Sequence, residues 1–283
     1  MLTELAVGLV VGVAIGWLGY WRGVLSASGI IGVVVVSSLT FGAAGWVWGI
    51  LPHLLFLSWI LWARFGAARK AQLSERFSES PRSGLYQVLA SGGWATILAL
   101  LHRLVPNVTS VFVAYVGALA TLNADTWAGE LGVLSSQLPR LVTTGRRVPA
   151  STSGAVSGLG CVAALGGAWL IGLVGLLLAV LLAWLKNVSW NRILLWLPLA
   201  GTAGGMVGCL ADSLLGAAAQ GMYHCERCQR ETENRLHSCG QVARQVRGWS
   251  WLTNEGVNLA SSVVGAAVAA GVAAWLAQTN ISW

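Results

Sequence analysis

Eight apolar stretches, most of them about as long as a bilayer is thick, take up most of this chain and leave little sequence for anything else. They cover about residues 3–21, 27–48, 51–63, 85–104, 108–132, 155–184, 190–221 and 255–277. A membrane-crossing helix needs roughly 20 mainly apolar residues. The third stretch is short and has Pro52 at its start, so it is expected to be kinked, re-entrant or merged with the second. The sixth is long enough to tilt, or to break at Gly166-Gly167 or Gly172. Charged residues make up only 10% of the chain, against about 25% in a soluble domain. A water-facing surface cannot be built from that, so the expected fold is an all-α polytopic transmembrane bundle of seven or eight spans. Residues 1–283 read as one membrane domain, with 223–254 as a small polar insertion. The first stretch lacks a basic flank and a small-residue cleavage site, so it reads as a retained helix.

The net charge of +7 would suit nucleic acid, but its distribution gives a simpler explanation. Three polar segments, 64–84, 135–154 and 223–254, and the turn at Arg22 fall on one side of an eight-span chain. They hold 14 of the 17 Lys and Arg residues, leaving Arg103, Lys186 and Arg192 opposite. The positive-inside rule assigns those segments to the cytoplasm and both termini to the outside. No basic run interleaved with aromatics is present, so no nucleic-acid partner is expected.

Only ten acidic residues occur, and Asp125, Glu130, Asp212 and Glu255 lie in or beside apolar spans. A charge at a helix centre costs about 2.5–3.5 kcal/mol on the insertion scale, which makes such residues functional candidates. All four are near the cytoplasmic ends of their spans. Asp125 and Asp212 share the pattern Ala-Asp-[Thr/Ser]-x-x-Gly, 87 residues apart, with Thr126 and Ser213 as the hydroxyl positions. This reads either as an internal repeat that sets two carboxylates at one depth or as a coincidence of composition. On an ideal helix Asn123, Thr126 and Glu130 share a face, whereas Asp125 and Glu130 are about 140° apart. The last two can flank one ligand only if the helix breaks near Gly129 or Gly132, or if the ligand wraps its end. Oxygen ligands of this kind suit Mg²⁺ together with substrate phosphates. Alternatively, the acids fix helix packing by pairing with polar or basic groups.

The segment after Glu130 carries Arg140, Thr143, Thr144, Arg146, Arg147, Ser151, Thr152, Ser153 and Gly154. Arginine suits phosphate, and hydroxyls and free N–H groups at a helix start suit an anion. The same residues also read as positive-inside anchors and an N-cap. Next to acids able to hold Mg²⁺, the loop fits a nucleoside di- or triphosphate, although no Walker-type phosphate loop is present. In the third polar segment Cys225-x-x-Cys228 is a zinc half-site. Cys239 with His237, or with His224, can complete a tetrahedron that folds the loop. Reduced, unliganded thiols are the other reading. Asn254, Glu255 and Asn258 open the last span and read either as site groups or as an N-cap and a dipole-complementing acid.

Several of these stretches together resemble one membrane family. They are Gln87-Val-Leu-Ala-x-Gly-Gly93, Ala124-Asp-Thr-Trp-Ala-x-Glu-Leu-Gly132, Pro139-x-x-x-Thr-Thr144, Val148-Pro149, Gly154-x-Val-Ser157, Asp212-Ser-Leu-Leu-Gly-Ala217, Cys225-x-x-Cys228 and Trp251-Leu-x-Asn254-x-x-Val-Asn258. The family, long a domain of unknown function, includes the plastid phytyl-phosphate kinase of plants and has animal and prokaryotic members. The resemblance implies a kinase that converts a prenyl monophosphate to the diphosphate, distantly related to CTP-using lipid kinases and cytidylyltransferases. It implies that Asp125, Glu130 and Asp212 hold Mg²⁺ and the triphosphate, with CTP the favoured donor, and that Arg146 and Arg147 neutralise the transferring phosphoryl group. The chain departs from the family pattern at Ser91, at Ser151-Thr-Ser-Gly-Ala155 and at Glu255-Gly256. A CTP-dependent lipid cytidylyltransferase and an isoprenoid or lipid transporter are the alternative readings. The transporter is disfavoured because its sites belong near the bilayer midplane.

Overall fold

A computed structural model describes residues 2–70, 72, 82–106, 108–150, 152–237 and 239–279. Eight long helices form the body: α1 (Leu2–Trp21), α2 (Ala27–Ala44), α3 (Trp46–Arg64), α4 (Leu85–Leu104), α5 (Thr109–Gly132), α6 (Gly158–Leu185), α7 (Leu197–Ala218) and α8 (Asn254–Thr279). A 3-10 turn, Arg192–Trp196, leads directly into α7. Seven helices are long and apolar enough to cross a membrane, and α5 alone of the eight does not qualify.

The position of α5 explains this. It packs against α3, α4, α6, α7 and α8, and every residue from Tyr115 to Ala124 is buried. A helix shielded by protein on all sides can carry Thr121, Asn123 and Asp125 without presenting them to lipid. The outer helices meet lipid and must be apolar. Between helices that are equally apolar, close backbone approach replaces the hydrophobic effect as the means of association. In α1 the buried residues are all glycines: Gly8, Gly12, Gly16 and Gly19. A Cβ at Gly8 would lie 2.8 Å from the Ser37 carbonyl oxygen, so α2 rests directly on the α1 backbone.

Two expectations are corrected here. The third span is a separate 19-residue helix, with Pro52 inside it. Proline removes the N–H that would bond the carbonyl four residues earlier, here that of Trp48. The Tyr115 hydroxyl of α5 donates to that carbonyl at 2.5 Å, so the central helix satisfies the group that Pro52 leaves open. The sixth span runs unbroken for 28 residues. Its glycines are contact points: a Cβ at Gly167 would meet the Asn123 carbonyl oxygen at 2.9 Å, and one at Gly172 the Leu197 carbonyl oxygen at 2.7 Å.

The polar connections after α1, α3, α5 and α7 gather at one end of the bundle. Leu25 bridges to Ser83, Arg69 Nη2 donates to the Ser135 carbonyl, and Arg247 Nη2 donates to that of Ser153. A short antiparallel pair, β1 (Arg140–Leu141) with β2 (Ala155–Val156), sits between α5 and α6. Between α7 and α8 a three-stranded knuckle is built from β3 (Met222–Cys225), β4 (Arg230–Thr232) and β5 (Arg244–Arg247), with β3 in the middle. Arg247 Nη1 fastens it to the bundle by donating to the Gly216 and Ala217 carbonyls at the end of α7, which no intrahelical N–H satisfies.

Candidate functional site

The two aspartates are aligned by the packing one and two turns before them. Thr121 and Gly208 each precede an aspartate by four residues, and a Cβ at Gly208 would lie 2.2 Å from Thr121 Oγ1. Two turns before the aspartates, Gly117 and Gly204 both back onto α8. A Cβ at either would fall within 2.9 Å of the Gly265 carbonyl oxygen and of Ala269 Cβ. The 87-residue offset thus holds for three successive turns of α5 and α7, and it places Asp125 and Asp212 at one level. Ser261 Oγ of α8 donates to Asp212 Oδ2 at 3.0 Å.

Asp125 lines a cavity of about 1250 Å³. Its apolar part is formed mid-bundle by Ile15, Val33, Val36, Leu55, Phe56, Leu119 and Leu122, and its polar part lies at the loop end. From Leu119 to Val133, both in its wall, the cavity extends about 21 Å along α5 at the helical rise. Thr126, Glu130, Thr152, Asn254 and Asn258 also line it. Thr253 accepts the first backbone bond of α8, so Asn254 and Asn258 are free to serve the cavity.

The structure assigns other candidates different work. Asn123 is fully buried. Its Nδ2 donates to the Gly167 carbonyl at 2.8 Å and its Oδ1 accepts from Ser58 Oγ at 3.0 Å, so it ties α5 to α6 and α3. Glu130 has both oxygens engaged, one by Trp59 Nε1 at 3.0 Å and one by Lys70 Nζ at 2.5 Å. α5 continues unbroken to Gly132, so no helix break turns Glu130 toward Asp125. Glu130 serves instead to hold Lys70 in the cavity wall. Thr143, Thr144, Arg146 and Arg147 are exposed at the β1–β2 connection and do not line the cavity. Neither do Asp212, Ser213, Ser153 and Gly154. Ser153 Oγ donates to Gln220 Oε1 at 2.8 Å. Gly154, at φ +78°, lies against Ala217, where a Cβ would be 2.4 Å from that side chain. The cap of α6 is Ser157, which accepts from the Gly160 N–H. Thr152 and Ser153 are therefore neither an N-cap nor at a helix start. Ser151 lies outside the described residues.

The cations that do line the cavity are Lys70 and Arg82, on the connection between α3 and α4. Arg82 also lies over the Tyr20 ring, 5.9 Å from its centroid. The knuckle contributes Gln229, Glu231, Thr232, Glu233 and Asn234 to the same cavity. Glu233 was not legible as a site residue, because nothing in its local sequence separates it from any loop glutamate. Its charge and that of Asp212 act on Asp125. Desolvation pushes the Glu233 carboxyl above the usual range; Gln220 and the Arg247 guanidinium oppose the shift and the Glu255 charge adds to it.

Cys225, Cys228, His237 and Cys239 converge as the spacing suggested, with ligand atoms within 4.8 Å of one another. The Cys225 and Cys239 sulfurs are 3.7 Å apart. A tetrahedral ion with metal–sulfur bonds of roughly 2.3 Å needs an S–S edge of about 3.8 Å. His237 Nδ1 lies 3.2 Å from Cys239 Sγ. The Gln241 backbone N–H and His237 draw the Cys239 thiol down to about 6. Cys228, hydrogen-bonded to Cys239, is pushed up to about 11. The donor set can hold a metal ion.

The chain is 30% identical over 272 residues to Protein PGR of Arabidopsis thaliana, which covers 91% of this chain and 92% of that protein. It is 35% identical over 193 residues to an uncharacterized membrane protein of Methanocaldococcus jannaschii, 68% of this chain and 74% of the relative. A second uncharacterized membrane protein, from Synechocystis, is 26% identical over 242 residues, 85% and 79% of the two chains. No solved structure matches. Residues 10–266 match the family described as Integral membrane protein DUF92, and the chain belongs to that family.

Proposed function

We propose that this protein is a CTP-dependent kinase of the inner membrane that converts a prenyl monophosphate of the phytyl or geranylgeranyl type to the diphosphate. The observation that carries the reading is the two-part cavity. One compartment is lined by apolar residues within the bundle and, toward the loops, by Asp125, Glu130, Glu231 and Glu233 together with Lys70 and Arg82. An amphipathic lipid phosphate needs such a shape, since its tail requires apolar surface and its head requires compensated charge. The positive-inside bias puts the chamber on the cytoplasmic side, where nucleotides are.

On this reading Asp125, supported by Asp212, would hold Mg²⁺, which would supply neutralisation of the charge on the donor phosphates. Lys70 and Arg82 hold the acceptor phosphate, whereas Arg146 and Arg147, expected to neutralise the transferring phosphoryl group, lie outside the cavity. An acceptor phosphate oxygen forms a bond to the γ-phosphorus of CTP, the bond from that phosphorus to the β-bridging oxygen breaks, and CDP leaves. The nucleophile is already ionised at neutral pH, so the protein's contribution is alignment and charge neutralisation. The knuckle metal is a zinc ion with a closed structural coordination.

The test is purified protein with geranylgeranyl or phytyl monophosphate, Mg²⁺ and each of CTP, ATP, GTP and UTP labelled at the γ position. Label in the prenyl diphosphate, with CTP the best donor, supports the reading. Pyrophosphate release with a cytidylyl-lipid product identifies a cytidylyltransferase instead. No turnover, with prenyl phosphate carried into liposomes, identifies a transporter.

A further inference from the structure

The Cys/His cluster and the cavity are neighbouring parts of one small unit. β4 follows Cys228 directly, and the segment Gln229–Asn234 that walls the cavity lies between the ligands Cys228 and His237. β4 pairs only with β3, with Cys225 opposite Arg230 and His224 opposite Glu231. The knuckle's own apolar core is confined to Tyr223, Cys225 and Ala243, with Cys228 and Cys239 packed against them. Three of those five residues are ligands of the cluster, so what would be a hydrophobic core elsewhere is here mostly a metal-binding set. A three-residue strand paired on one edge and backed by so small a core has little stability of its own.

We propose that a thiolate-bound zinc ion is the element that fixes the cavity wall, so that its occupancy sets the affinity of the acidic chamber for a divalent cation through the position of Glu233. Glu233 acts with Asp125 as a carboxylate of the cavity wall, and the knuckle delivers it. The zinc makes no contact with the cavity ligand; its effect passes through the ordering of the four residues from Gln229 to Thr232 and of Glu233 after them. The cation-binding role of Asp125 and Asp212 is taken from the proposed function, but the coupling is a separate claim.

The experiment uses the full-length protein in detergent, with Mn²⁺ as the cavity probe read by electron paramagnetic resonance. No nucleotide or lipid is present, so failure of phosphoryl transfer and failure of this coupling are seen in different assays. Wild-type protein is expected to carry one zinc per chain. Removal of zinc with a chelator should weaken Mn²⁺ binding by about tenfold or more, the range found when groups supporting a metal site are removed. It should also raise amide exchange across residues 229–234, and zinc added back should restore both. Glu233→Gln should weaken Mn²⁺ binding to a similar extent with zinc content and amide exchange unchanged, and chelation should then weaken it no further. Because Cys228→Ser can impair folding, Cys228→His serves as the ligand-preserving variant and should keep both zinc and Mn²⁺ affinity. Unchanged Mn²⁺ affinity in the zinc-free protein, or in Glu233→Gln, overturns the proposal, as does a protein that neither carries zinc nor responds to it.

Discussion

Thr121 of α5 and Gly208 of α7 meet so closely that Gly208 has no room for a side chain: a Cβ there would lie 2.2 Å from Thr121 Oγ1. Each stands one helical turn before an aspartate, so this contact sets the relative height of Asp125 and Asp212. Gly208→Ala is expected to destabilise the protein by about 1–3 kcal/mol through overpacking, read as a lower melting temperature in detergent. It should also weaken Mn²⁺ binding. A variant that melts earlier with unchanged Mn²⁺ affinity would show that the register of the aspartates is irrelevant to the site.

Lys70 and Glu130 should behave as a unit. Glu130→Gln removes the charge that holds Lys70, whose Nζ also donates to the Trp62 carbonyl. A hydrogen bond to a charged group contributes about 1.5–3 kcal/mol. The expected result is a raised KM for the prenyl phosphate in either single variant, and no further rise when Lys70→Ala is added to Glu130→Gln. Full additivity would separate the two residues.

Arg146 and Arg147 lie outside the cavity, exposed on the β1–β2 connection. Replacing both with alanine should change turnover by less than about threefold, since surface changes away from a site are usually within 0.5 kcal/mol. Asp125→Asn should abolish it. A large loss in the arginine pair would bring that connection into the reaction.

The raised carboxyl of Glu233 gives a pH signature. Its folded-state value lies above its unfolded one, so its contribution to stability is present at low pH and is lost as pH rises through the folded value. A bound cation offsets that loss. The rise in melting temperature caused by Mn²⁺ should therefore grow as pH rises through the folded value. In Glu233→Gln this part of the pH dependence should disappear.

Tyr115→Phe should cost about 1–3 kcal/mol, because the Trp48 carbonyl left open by Pro52 would be buried without a donor. Pairing it with Pro52→Ala should recover most of the loss, since the alanine N–H then takes the carbonyl.

All eight helices were legible, seven of them because lipid demands apolar residues over a length the bilayer dictates. The Cys/His cluster was legible because metal ligands keep short spacings within one folded loop, and Cys225, Cys228, His237 and Cys239 converge on that account. The Asp125 and Asp212 pair was visible as a repeated pattern. The sequence could not show that the repeat is a register, because that depends on Gly117, Thr121, Gly204 and Gly208 meeting one another and α8. Only the tertiary structure separated Asn123, which ties helices together, from Thr126, which faces the cavity. It also set Lys70 and Arg82, rather than Arg146 and Arg147, in the cavity wall, and brought Glu233 into the same cavity as Asp125 across 108 residues of chain. The physical reason is the same in each case. The bilayer and the metal act on residues close together in sequence, whereas the cavity is assembled from six helices and four connections whose side chains acquire a common neighbour only when the bundle closes.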